Sequence, residues 1–180
     1  MEKMKADGKM PDGAILDRFS RAVREMVADD ALAKAAPQEF SITPYLAMKM
    51  VPHFDGLWVS AEWTSRDDKL KKVRFQDDFG KWDIMQVRPD IIVHTPHTGE
   101  DNILVIEAKR VGGSKDYEKD LKKLSLMTLQ KSLDPDYHYG YRLGVHLIID
   151  LPNRKIVGNE VYRDGQVDPK LTELLTKMVS

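Results

Sequence analysis

Arg88-Pro89-Asp90-Ile91-Ile92-Val93-His94 and, after a polar turn, Asn102-Ile103-Leu104-Val105-Ile106-Glu107-Ala108-Lys109-Arg110 are the two stretches from which the fold is read. Residues 91–93 and 103–106 are apolar and rich in β-branched side chains, the composition of buried strands. Between them, Pro96, Gly99, Asp101 and Asn102 mark a turn. Two such runs joined by a short polar connection predict a β-hairpin. Side chains alternate across a strand, so Glu107 and Lys109 share one face. Closing the hairpin carries Asp90 to Glu107.

A carboxylate at the end of a buried apolar run is costly without a partner, and two together repel. A hard cation removes the conflict. Mg²⁺ takes oxygen ligands, typically one or two carboxylates with water and substrate phosphate. The main-chain oxygen of Ala108 is a further candidate ligand, and Lys109 stands where it can stabilise phosphate charge or orient a water. An isolated Glu-x-Lys is also the pattern of a solvated structural pair at a strand end, and that alternative stays open on spacing alone.

Pro89-Asp90, sixteen intervening residues and Glu107-Ala108-Lys109 resemble the PD-(D/E)XK nuclease superfamily. The longer match, 88–94 followed by 102–109, is similar to that of small bacterial and phage members. The resemblance covers roughly residues 37–150 and is sharp only over 88–109. It implies an α/β fold: a central mixed β-sheet flanked by helices, as in a restriction-endonuclease-like core. It also implies an Mg²⁺- or Mn²⁺-dependent nuclease cutting phosphodiester bonds of nucleic acid, DNA in the first instance. Asp90 and Glu107, with Ala108, become the metal ligands. Lys109 becomes the group acting on the attacking hydroxide or the transition state. Members of the superfamily often place a Glu on a helix before the sheet. Glu39 is the choice for that role, with Glu25 as its competitor. Many such nucleases cut both strands as dimers, so the resemblance allows a homodimer, while the sequence itself does not give the oligomeric state. Members without activity also exist, so a catalytically silent module binding nucleic acid or protein is the alternative.

The composition suits one domain. The chain has 180 residues, 42% of them hydrophobic and 32% charged, with a net charge of −1, enough to bury a sizeable core. It has no cysteine, which excludes disulfides and thiolate metal sites. No run approaches a membrane span and no signal-peptide pattern opens the sequence, so a cytoplasmic location is expected. Residues 1–13 read as a flexible tail and 14–180 as the single domain. Near-neutral charge argues against strong non-specific nucleic-acid binding, but lysines cluster. Lys69, Lys71, Lys72 and Arg74 form one group and Lys119, Lys122, Lys123 and Lys131 another. Lys122 and Lys123 are the candidate phosphate contacts.

The remaining elements follow from periodicity. Residues 14–29 predict an amphipathic helix, and Pro37 opens a second in which Pro44 is awkward. Residues 57–64 predict a strand, and 65–83 a charged loop or an extension of the hairpin. A helix is expected over 115–132, with Tyr117, Leu121 and Leu124 inward and Lys119, Lys122 and Lys123 outward or toward the cleft. Strands are expected over 141–150 and 153–162, and an Asp168-capped helix over 169–179. Glu62 is weighed as a site residue and read as a surface partner. His94, His97, His138 and His146 show no zinc spacing and are read as ordinary. Trp58, Trp63 and Trp82 are assigned mostly to packing.

Overall fold

The computed structural model describes residues 10–61, 65–66, 69–95, 101–113 and 117–180, and leaves the side chains of 65, 66, 69 and 70 aside. Its elements in chain order are α1 (Asp12–Val27), α2 (Asp30–Ala35), α3 (Glu39–Met50), β1 (Trp58–Ala61), β2 (Ser65–Arg66), β3 (Lys69–Leu70), β4 (Lys72–Gln76), β5 (Trp82–Gln86), β6 (Ile91–His94), β7 (Asn102–Arg110), α4 (Glu118–Thr128), β8 (Leu143–Asp150), β9 (Lys155–Arg163), β10 (Gln166–Val167) and α5 (Pro169–Val179).

The central sheet has six strands in the order β1-β6-β7-β8-β9-β10. Only β7 and β8 run parallel, joined by α4; the other neighbours are antiparallel. The fold is therefore α/β with a mixed sheet flanked by helices, as the motif strands imply. Alternation divides the strands between two cores. Ile91, Val93, Leu104, Ile106 and Val145 pack with Ile15 and Phe19 of α1, Leu46 of α3 and Leu175 of α5. Ile92 and Val105 point the other way, to Leu124 and Met127 of α4. α4 sits close because β8 carries Gly144, where a Cβ would lie 3.0 Å from Thr128 Cγ2.

The helices form where caps and stripes agree. α1 buries Ile15, Leu16, Phe19, Val23 and Met26, one face of a 3.6-residue repeat. Asp168 accepts from the backbone N–H groups of Lys170 and Leu171, with Pro169 in the first turn of α5. Several bounds differ from expectation. α1 starts at Asp12 rather than residue 14, because Asp12 is tied to both Arg142 and Arg163. The region before the sheet holds two helices. Asp29 caps α2, Ala36 ends it in a left-handed turn, and Pro37 precedes α3 instead of opening it. Pro44 lies inside α3, where its ring is accommodated within a continuous helix. The charged stretch after β1 forms its own hairpins, β2–β3 and β4–β5, outside the central sheet. Asp77 turns the second hairpin by accepting from the N–H groups of Phe79 and Lys81. α4 spans fewer residues than the periodicity suggested, because Leu129 leaves helical geometry. Trp58 and Trp82, expected in packing, are about half exposed; Trp82 lies against the Arg74 guanidinium. Glu62, Trp63 and His97 and the expected cap at Ser114 lie outside the described residues. Among the described residues, no helix is long and apolar enough to cross a membrane.

Candidate active site

The site grows from a mismatch in strand length. β6 pairs with β7 from Ile91 opposite Ile106, and β7 continues to Arg110. Beyond that last pair, the N–H of Ala108 donates to Asp90 Oδ2 at 2.9 Å. Asp90 thus takes a ladder hydrogen bond by its side chain and is held beside β7. Asp90 bears electrostatically on Glu107, and Lys109 on Asp90, as neighbours around β7. Ala108 meets Asp90 through its N–H.

Glu107 is 1% exposed. Its Oε2 accepts from Lys123 Nζ at 2.7 Å, and its Oε1 is buried with no hydrogen-bond partner. Burial raises the Glu107 carboxyl well above its ordinary range, and the Asp90 charge adds to this; Lys123 opposes both. Burial also raises Asp90, against the Ala108 N–H and the two lysines. The protein therefore holds two acids where neither ionises readily.

Lys109 is gripped from two helices. Its Nζ donates to Glu39 Oε1 of α3 at 2.9 Å and lies 3.0 Å from Asp120 Oδ2 of α4. Burial works to lower its pKa, but these two carboxylates outweigh it and raise Lys109, so it stays an ammonium. Glu39 Oε2 also accepts the Arg110 N–H at 3.3 Å. Gly113 leaves room for this contact, since a Cβ there would sit 3.3 Å from Glu39 Oε2. Glu39 accordingly belongs to the cluster through Lys109 and not through the Asp90–Glu107 pair. Glu25 pairs with His53 at 2.8 Å instead.

Asp120 and the placement of Lys123 were missed in the sequence. Both are buried. Lys123 Nζ reaches Glu107 Oε2, Asp120 Oδ1 at 3.3 Å and the Arg88 carbonyl at 3.3 Å. It is an internal counter-ion, not the surface phosphate contact expected of it, whereas Lys122 is exposed, its ammonium 3.5 Å from the centre of the Phe75 ring. The signal was available: Asp120, Lys123, Leu124 and Met127 follow the i, i+3, i+4, i+7 stripe that α4 buries. Burial works to raise Asp120, but its hydrogen bond to Lys109 and the charges of both lysines hold it below its ordinary value. His146, opposite Glu107 on β8, is buried against the Tyr117 ring, and burial lowers its pKa.

Among the described residues, Glu39, Asp90, Glu107 and Asp120 gather around Lys109 and Lys123, four carboxylates about two ammonium groups. Among the described residues, no group of three or more His, Cys, Asp or Glu converges tightly enough to hold a metal by itself. The fit to a divalent cation rests on the orphaned Glu107 Oε1 beside the Asp90 carboxylate. These are hard oxygen donors in the number that a water-rich Mg²⁺ site uses. Comparisons of the chain with family models, curated proteins and solved structures gave no match.

Proposed function

We propose that this chain is a metal-dependent nuclease of PD-(D/E)XK type that hydrolyses phosphodiester bonds in nucleic acid, DNA in the first instance. The observation that carries the reading is the buried, unpartnered Glu107 Oε1 next to Asp90, with the Lys109 ammonium on the same strand face. Asp90 and Glu107 would hold Mg²⁺ or Mn²⁺, with the Ala108 carbonyl as a further oxygen donor. Such an ion supplies Lewis-acid stabilisation of phosphate charge and a more acidic water.

The protein's own groups do the rest. Lys109, fixed as a cation by Glu39 and Asp120, stabilises the negative charge that builds on the phosphoryl oxygens. It is too firmly protonated to act as a base. Water adds to phosphorus as the P–O ester bond breaks; one water proton leaves to solvent and the departing oxygen takes one up. Exposed Lys122 contacts backbone phosphate. The reading includes a cytoplasmic location and action as a homodimer.

Purified protein incubated with linear, circular and single-stranded DNA and with RNA tests this. Cleavage is expected with Mg²⁺ or Mn²⁺ and not with EDTA. Degradation that persists in EDTA, or an Asp90→Asn variant as fast as wild type, would refute it. One observation favours a second reading, a silent nuclease-fold module: the Lys123 ammonium already neutralises half of Glu107. In that case calorimetric titration with Mn²⁺ gives no site.

A further inference from the structure

Two buried polar atoms on the α4 face of the sheet have no hydrogen-bond partner: Glu107 Oε1 and His146 Nε2. Their residues are 1% and 4% exposed. Their residues are neighbours across the sheet, register partners on the parallel strands β7 and β8. Glu107 faces Lys123 of α4, and His146 faces Tyr117 at the start of α4, so both side chains point to the same layer. Asp120, Glu160, Lys109 and Glu39 all bear electrostatically on the imidazole, which lies between the acidic cluster and Glu160, its register partner on β9. A buried polar group left unsatisfied costs about 1–3 kcal/mol, so two adjacent ones call for a shared partner. Neighbouring strands lie about 4.8 Å apart, a span that one water molecule bridges.

We propose that His146 is a positioning residue of this site: His146 Nε2 and Glu107 Oε1 together hold one water molecule next to Lys109. A water donating one hydrogen to each atom takes one lone pair of Glu107 Oε1, leaves the other for a cation, and keeps its own oxygen lone pairs free. Its catalytic consequence rests on the nuclease reading, in which this is the molecule that adds to phosphorus. The water site itself does not. In this proposal His146 acts as a hydrogen-bonding group and not as a ligand of the cation.

A crystal structure of the wild type should show an ordered water within hydrogen-bonding distance of both atoms; a site without one would overturn the proposal whatever the enzyme does. Kinetics then test the consequence. His146→Phe, which fills the volume without a nitrogen, should lower kcat about a hundredfold with KM unchanged. His146→Gln, which keeps a polar tip, should stay within about tenfold of wild type. Mn²⁺ affinity measured by calorimetry should be the same in all three proteins. Should His146→Phe not fold, His146→Ala with added imidazole replaces it, and recovery of rate is expected. Equal losses in the Phe and Gln variants would mean packing alone, and weaker Mn²⁺ binding would make His146 a ligand; either result overturns the proposal. A wild type that cuts nothing with any metal removes the nuclease reading and leaves the water site to the crystallographic arm.

Discussion

Glu107→Gln should make the metal-free protein more stable. Glu107 is 1% exposed, and its pKa is raised first by burial and then by Asp90. The fold thus disfavours its ionised form even with Lys123 at 2.7 Å. Gln keeps the shape, removes the charge and places an NH₂ donor beside Asp90 in place of a like charge. The opposing effect is the loss of one carboxylate from Lys123. Removing one partner of a buried pair costs about 3–5 kcal/mol when the other charge is stranded. Lys123 is not stranded, because Asp120 and the Arg88 carbonyl remain, each at 3.3 Å. Relieving the buried charge wins, by about 1–2 kcal/mol. For a chain of this size that is a Tm increase of roughly 2–8 °C.

The sign with pH is fixed by linkage. The folded state keeps its proton on Glu107 above the ordinary value of 4.5, so it binds more protons than the unfolded chain in that window. Wild-type stability from this group falls as pH rises from the ordinary value to the folded one. The advantage of Gln is therefore absent well below pH 4.5 and grows as pH rises through and above that value. Differential scanning calorimetry in EDTA across pH 4 to 8 measures it. Saturating Mn²⁺ should reverse the order, since only the wild type gains from binding. A Gln variant less stable than wild type at pH 7 in EDTA would mean that the Lys123–Glu107 pair is net stabilising, and the account of a protein holding an unfavourable charge for its ligand would be wrong.

Lys109→Ala should lower cleavage by about a hundredfold to a thousandfold while leaving Mn²⁺ affinity unchanged or tighter; Asp90→Asn should lose both cleavage and metal binding, an amide being a poor ligand for a hard ion. Calorimetry beside a cleavage assay separates the two, and equal metal loss in both variants would disprove the division of roles. Asp120→Asn removes one of the two carboxylates that raise Lys109, so the alkaline limb of its pH–rate profile should move to lower pH; an unmoved limb would mean that Asp120 does not hold Lys109 charged. Lys122→Ala should lower the salt slope of duplex DNA binding by about 0.9, and an unchanged slope would assign Lys122 to solvent.

Much of the centre was legible because it depends on local rules. The alternation that put Glu107 and Lys109 on one face is a property of any strand, and the two apolar runs pair antiparallel as β6 and β7. Glu39 reached the cluster, but its contact with Lys109 comes from the packing of α3 against β7, and no local spacing encodes that. Lys123 was misread because a lysine in a charged helix is ordinarily solvated. Only the stripe it shares with Asp120 and Leu124 reveals that it points inward. The β4–β5 hairpin hid behind its charge: Lys71, in a run of basic residues, is buried with its ammonium on the Tyr141 hydroxyl and over two aromatic rings.

The site also explains an apparent excess of charge in the core. Glu39, Lys109, Asp120, Lys123 and Glu107 form one chain of contacts running from α3 across β7 to α4. A chain of this kind is weak evidence for stability, since apolar replacements of buried ion pairs are often neutral or better. It does tie two helices from opposite layers to successive positions on one face of one strand. Each lysine has two carboxylates, so each ammonium is fixed in position, while Glu107 keeps one oxygen unclaimed. Fixed cations around an acceptor that no described protein group claims are what electrostatic preorganisation requires. A purely structural network would spend that oxygen on a protein donor; leaving it to water or a cation in a side chain 1% exposed is what the proposed function accounts for.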